Sequence, residues 1–156
     1  MTPAVSILKK RNIAFTLHHY QHDPDHPSYG LEAAEKLKIE PSRVFKTLVV
    51  QIDSGKLVVA VVPVNRQLNL KSLGRVLGVK KLGMADGKAV QSATGYVLGG
   101  VSPLAQKKRL QTVVDESADQ YQTILFSGGR RGLEIELAPD DLISLCGAKT
   151  GSICSF

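Results

Sequence analysis

The sequence predicts an α/β domain in which a mixed, largely antiparallel sheet, curved or barrel-like, carries helices on its periphery. Three observations lead there. Two apolar, β-branched runs, RVFKTLVVQI at 43–52 and KLVVAVVP at 56–63, meet at the turn residues Asp53, Ser54 and Gly55 and so form a hairpin. Further strands and short helices follow without the regular alternation of a βαβ fold. Finally, 156 residues with 43% hydrophobic and 22% charged content have a globular composition and length enough for one sizeable core.

The elements follow in order. Thr2 as N-cap and Pro3 at the first helical position start a helix that runs to about Arg11. Ala14 to His19 reads as a strand, and YQHDPDHPSYG at 20–30, with two prolines and a glycine, as a loop. LEAAEKLKI at 31–39 is a short amphipathic helix with Leu31, Ala34 and Leu37 on one face, broken by Pro41. The hairpin 45–52/56–63 comes next. Asn69 caps a helix over 70–77 and Asp86 another over 87–92. A glycine-rich stretch, TGYVLGGVSP, precedes strands at Thr112–Asp115, Tyr121–Phe126 and Leu133–Leu137. Pro139, with Asp140 and Asp141, opens a last helix that reaches Cys146.

Several classes are excluded. The longest apolar run, LVVAVVPV at 57–64, is too short to cross a bilayer, so no membrane role is expected. MTPAVSILKKRN places its charges after the apolar run, the reverse of a secretory signal. Cys146 and Cys154 form neither a disulfide framework nor a zinc pattern, and a reducing cytoplasm is the expected compartment.

The hairpin poses a question of its own. Side chains alternate along a strand, so Val44, Lys46, Leu48, Val50 and Ile52 share one face, the more apolar of the two. An ammonium there must reach water, meet an anion or lose its proton. Lys46 is either a snorkelling strand-end lysine or a residue waiting for an anionic ligand.

Other chemistry is sparse. All four histidines lie in HHYQHDPDH, where Pro24 and Pro27 forbid a continuous helix and no cysteine or HExxH pattern joins them, so a metal site is rejected. Ser102 in GGVSP is followed by proline, with no histidine nearby in sequence, and reads as a turn residue. Cys146 in SLCGA reads as packing. Walker and dinucleotide fingerprints are absent. Gly95, Gly99 and Gly100, and Gly128 and Gly129 before Arg130 and Arg131, allow close backbone approach to an anion. With Lys46 they sketch a pocket for a phosphate-bearing ligand, although each alone is a tight turn.

The net charge of +6, from 20 Lys+Arg against 14 Asp+Glu, is modest but clustered. Lys9, Lys10 and Arg11 close the first helix and read as structural. Lys80-Lys81, Lys107-Lys108-Arg109 and Arg130-Arg131 are either solvated turns or a converging footprint for a polyanion.

FKTL at 45–48, SATGYVLGGVSPL at 92–104 and SGGRRGLEIEL at 127–137, in this order and spacing, closely resemble the YbaK family. Its members are bacterial cysteinyl-tRNA(Pro) deacylases related to the inserted editing domain of bacterial prolyl-tRNA synthetases. The likeness runs from MTPA to the last helix, so residues 1–156 are expected to form one such editing domain. The resemblance implies a barrel-like mixed sheet flanked by helices and no cofactor. It makes aminoacyl-tRNA, specifically cysteinyl-tRNA(Pro), the substrate, and prolyl-tRNA synthetase a candidate docking partner. It assigns Lys46 as the hallmark pocket residue, meeting phosphate near the tRNA 3′ end. Gly99, Gly100, Val101, Ser102 and Pro103 match the GxxxP loop that holds the aminoacyl-adenosine end by backbone contacts. Tyr20, Tyr29, Thr47, Ser127 and Glu134 match other pocket positions. Tyr29 stands where phenylalanine is common and Glu134 where aspartate is common, departures that bear on pocket size. Lys107, Lys108, Arg109 and Arg130 are the expected contacts to the tRNA backbone.

The implied chemistry needs no protein nucleophile. A shape sieve separates near-isosteres such as cysteine and proline by only about 1–3 kcal/mol. The family is thought to use the substrate thiol instead, which attacks its own ester carbonyl and expels the tRNA as a cyclic thioester forms. Two rivals stay open: a deacylase of alanyl-tRNA or another small-amino-acid ester that activates water, and a non-catalytic RNA-binding module.

Overall fold

Capping residues set the helices of the computed structural model, which describes residues 1–155. Helix α1 (Pro3–Lys10) opens on Thr2, whose hydroxyl accepts the Val5 N–H at 3.3 Å. Helix α2 (Tyr29–Leu37) begins at Tyr29 rather than Leu31, because Ser28 Oγ accepts the Leu31 N–H and caps it there. Asn69 and Asp86 cap α3 (Leu70–Leu77) and α4 (Gly87–Thr94), accepting the N–H groups of Ser72 and Ala89. Helix α5 spans Pro139–Cys146 and ends on Gly147 in the left-handed conformation that glycine favours.

The strands are β1 (Thr16–His19), β2 (Phe45–Ile52), β3 (Leu57–Pro63), β4 (Gln67–Leu68), β5 (Leu82–Met84), β6 (Gln111–Asp115), β7 (Ile124–Ser127), β8 (Leu133–Leu137), β9 (Lys149–Gly151) and β10 (Cys154–Ser155). The expected hairpin is β2–β3, antiparallel with Lys46 opposite Val62. Strand β7 starts at Ile124 rather than Tyr121. Tyr121 leaves a 3-10 turn (Glu116–Gln120), and its hydroxyl donates to Ser42 Oγ at 2.9 Å.

A five-stranded sheet runs in the order β5-β2-β3-β6-β9, antiparallel at β5-β2-β3 and parallel at β3-β6-β9. A three-stranded antiparallel sheet, β1-β8-β7, meets it through one parallel bridge between Val44 and Leu125. Strands β10 and β4 form a separate antiparallel pair. The sheet is therefore mixed and largely antiparallel, as expected. It resembles a barrel only through the Val44–Leu125 seam, since β5 and β9 remain edges among the described residues.

Hairpin β2–β3 is the middle layer. Phe45, Val49, Val59 and Val61 pack into a core with α1, α5, β7 and β8. Val50, Ala60 and Val62 pack on the other side with Leu73 of α3 and Ile153. Burial on both faces accounts for a continuous apolar run in β3 in place of alternation. Each valine buried there contributes roughly 1.5–3 kcal/mol relative to an exposed one.

Candidate active site

One edge of β2 is left without a neighbour between the Val44 bridge and the pairing with β5, which begins at Val50. A cavity of about 430 Å³ opens beside that gap. Consecutive residues Phe45, Lys46, Thr47 and Leu48 all line it, although they alternate between the two faces of the strand. The start of α2 supplies Ser28, Tyr29 and Gly30, and the chain before and after it supplies Tyr20, Pro27, Leu98, Gly99 and Val101. Ser127 and Glu134, which face each other across the β7–β8 ladder, complete the wall. Gly30 is required where it stands. A Cβ there would lie 2.4 Å from Val64 Cγ1, so only glycine lets α2 press onto the end of β3.

Lys46, Thr47, Tyr20, Tyr29, Gly99, Val101, Ser127 and Glu134 thus share one cavity. Gly100, Ser102 and Pro103 do not line it. Gly100 lies against the Arg130 backbone, where a Cβ would come 2.7 Å from Arg130 Cα. Ser102 is fully buried within the loop, its hydroxyl accepting the Leu104 N–H at 3.3 Å. Pro103 faces a hollow on the other side, and its carbonyl accepts from Cys146 Sγ at 3.3 Å. The basic residues are divided as well. Lys108 and Arg109 line that far hollow, Arg130 lines another with Lys9 and His19, and Lys107 is exposed outside both. Leu98, Ser28 and Gly30 were not singled out from the sequence. A serine preceding an amphipathic run was the available signal for the last two.

Three polar groups of the cavity, on Lys46, Thr47 and Glu134, lack hydrogen-bond and ion-pair partners among the described residues. Half-buried Lys46 makes no hydrogen bond or ion pair among the described residues, and burial holds its pKa below the ordinary lysine value. Thr47 Oγ1 is buried with no hydrogen-bond partner among the described residues. Glu134 is only 6% exposed and unpaired among the described residues, and burial pushes its pKa up to about 8, which favours the protonated acid at neutral pH. Burial, then the neighbouring Glu134, raises the Tyr20 pKa in turn. Leaving such groups unsatisfied costs roughly 1–3 kcal/mol each, and a polar ligand recovers that cost.

Tyr29 is held from behind. Its ring lies 4.1 Å from the guanidinium carbon of Arg131, and Arg131 Nη2 donates to the fully buried Glu32 at 3.2 Å. Burial alone would raise the Glu32 pKa, but the Asp23 N–H, Lys36 and Arg131 outweigh it and hold the carboxyl below its usual value. Gly99, which lines the same cavity, adopts φ +89°, and a Cβ there would meet the Tyr29 ring at 3.0 Å.

The model of the aminoacyl-tRNA editing domain matches residues 25–145, a span that includes the whole cavity except Tyr20. The chain belongs to the aminoacyl-tRNA editing domain family. This editing domain is 38% identical over 152 residues to a candidate Cys-tRNA(Pro)/Cys-tRNA(Cys) deacylase, EbsC, of Enterococcus faecalis, covering 97% of the chain and 92% of the relative. It is 28% identical over 131 residues to a proline–tRNA ligase of Syntrophotalea carbinolica, covering 79% of the chain and 22% of the ligase. The crystal structure of a candidate trans-editing enzyme for prolyl-tRNA synthetase superposes with a TM-score of 0.85 at 22% identity, covering 100% of the chain and 99% of that protein.

The Glu134 environment has a measurable consequence. Its folded-state pKa lies above the unfolded value of 4.5, so the native state binds the extra proton between pH 4.5 and about 8. The stability contributed by that proton is fully present below 4.5 and is lost as pH rises through about 8. Chemical denaturation across this range is expected to show falling stability in the wild type and a flatter profile in Glu134→Gln. An unchanged profile in the variant would mean that Glu134 ionises normally.

Proposed function

We propose that the editing domain is a trans-acting deacylase that clears mischarged cysteinyl-tRNA(Pro). The observation that carries this reading is the set of unpartnered polar groups, Lys46, Thr47 Oγ1 and Glu134, around one cavity of about 430 Å³. A cysteinyl-adenosine end brings what they lack: an anionic phosphate for Lys46 and polar atoms for Thr47 and Glu134. Gly99 and Val101 border the same space, and their backbone groups are suited to hold the ester end.

The protein offers no activated nucleophile there. Ser102 is sealed inside its loop, and burial raises the Cys146 and Cys154 pKa values to about 11 and 12, which keeps both thiols neutral at physiological pH. The substrate supplies the nucleophile instead. Its sulfur forms a bond to the ester carbonyl carbon, the carbon–oxygen ester bond breaks, and the thiol proton ends on the released ribose oxygen. Water then opens the cyclic thioester to cysteine. The domain positions the thiol and stabilises the developing negative charge through Lys46 and loop amides. The activity is cytoplasmic, carried by residues 1–156 as a single domain without metal or cofactor, with prolyl-tRNA synthetase as the docking partner that delivers the substrate.

The direct test is purified protein against a panel of aminoacyl-tRNAs. Cysteinyl-tRNA(Pro) should be cleared, and Ser102→Ala, Cys146→Ala and Cys154→Ala should each keep most of that activity. Loss of activity in a folded Ser102→Ala or cysteine variant would return the nucleophile to the protein. Clearance of alanyl-tRNA(Pro) at a similar rate would favour a water mechanism, and clearance of no ester a binding module.

A further inference from the structure

The hollow behind the 99–103 loop, about 180 Å³, has an apolar floor that includes Ile7, Leu104 and Leu145. Arg11, Lys108 and Arg109 line it, and no carboxylate among the described residues does. None of these cations has a carboxylate partner among the described residues. Like charges around one concavity repel, and low-dielectric walls strengthen the field that draws in an anion. Arg11 closes α1 and also lines this hollow.

The hollow is also shaped. Arg109 Nη2 lies within 2.9 Å of where a Cβ on Gly147 would sit, so the guanidinium rests beside the glycine that ends α5. Ala105, another lining residue, adopts φ +54°, a left-handed conformation that is strained for a residue other than glycine. The same loop borders both spaces: Gly99 and Val101 face the catalytic cavity, while Pro103 faces the hollow.

We infer that this hollow is a second, separate anion seat that takes the phosphate group of a nucleotide, with the sugar or base resting on the apolar floor. The inference goes beyond deacylation and rests on that reading only in naming RNA as one source of the phosphate. The other source is a free nucleotide.

Amide NMR spectra of the full chain would be followed during titration with AMP and, separately, with an uncharged acceptor-stem hairpin of tRNA(Pro). Shifts are expected at residues 104–112 and 145–147, weakening steeply with added salt and requiring at least roughly tenfold more ligand in Arg11→Gln and Arg109→Gln. Shifts there with the hairpin alone support a seat for an RNA phosphodiester, and with AMP alone a seat for a free nucleotide; shifts with both support a seat for either. Silence of these residues with both probes, or shifts that persist unweakened in both variants, would overturn the seat. Shifts confined to the Lys46 cavity would overturn it as well while leaving the deacylase reading intact. Failure to clear cysteinyl-tRNA(Pro), with the shifts present, would remove the deacylase reading and leave the seat.

Discussion

Lys46→Ala is expected to bring clearance of cysteinyl-tRNA(Pro) close to the uncatalysed rate while leaving the thermal unfolding of the protein nearly unchanged. The two halves of this expectation have one cause. In the free protein the Lys46 ammonium is half-buried, has no anionic partner among the described residues and is held below its ordinary pKa by that burial. Truncation removes an uncompensated charge, so the change in stability should stay within about 1 kcal/mol in either direction. On the proposed reading the same ammonium meets phosphate and developing negative charge in the complex, and loss of one such stabilising group costs about 10²–10³-fold in rate. Lys46→Arg separates charge from shape. It keeps the cation but presents a planar fork on a longer stem, and partial activity is expected. Wild-type turnover by Lys46→Ala would remove the central assignment; a large fall in unfolding temperature would make the lysine structural.

The ease with which parts of this molecule are read from sequence follows the range of the interactions that fix them. Helices announced by Thr2-Pro3, Asn69, Asp86 and Pro139 begin where those residues place them, because a cap acts within one turn. Strands β4, β5, β9 and β10 have too few residues for a periodic signal, and only a partner strand holds them extended. The cavity shows the same divide. Alternation puts Lys46 and Thr47 on opposite faces of β2, and they share a wall only because β5 starts at Val50 and leaves the strand edge open. That gap is a property of residues distant in sequence. Glu134 and Glu136 give the clearest case, since alternation places both on one face of LEIEL. Glu136 finds Arg43 at 3.3 Å, Thr123 Oγ1 at 2.6 Å and His18 at 2.7 Å, and its pKa is lowered. Glu134 finds no partner and its pKa rises to about 8. Which glutamate belongs to the cavity is decided by what lies opposite each, and only the family resemblance pointed to Glu134 in advance.

The largest difference between substrates should come from a single atom. Seryl-tRNA(Pro) is nearly the shape of cysteinyl-tRNA(Pro), and the cavity has room for either ester, so binding alone discriminates weakly. If the substrate sulfur attacks the ester, chemistry discriminates where shape does not. A free thiol is a few per cent thiolate at pH 7 and strongly nucleophilic, whereas an unactivated hydroxyl is a poor nucleophile. If thiol attack carries the reaction, seryl-tRNA(Pro) should be cleared more slowly by at least roughly a hundredfold. The rate on cysteinyl-tRNA(Pro) should also climb with pH toward the substrate thiol pKa. Rates measured on both esters, and on alanyl-tRNA(Pro), across pH 6 to 9 test the reading. Alkylating the substrate thiol before adding enzyme should block turnover, although the added bulk makes that comparison less clean. A water mechanism predicts that the serine and alanine esters are hydrolysed as readily as the cysteine ester. Rapid loss of either would sink thiol assistance and still leave a deacylase, because the proposed roles of the cavity and Lys46 are common to both mechanisms.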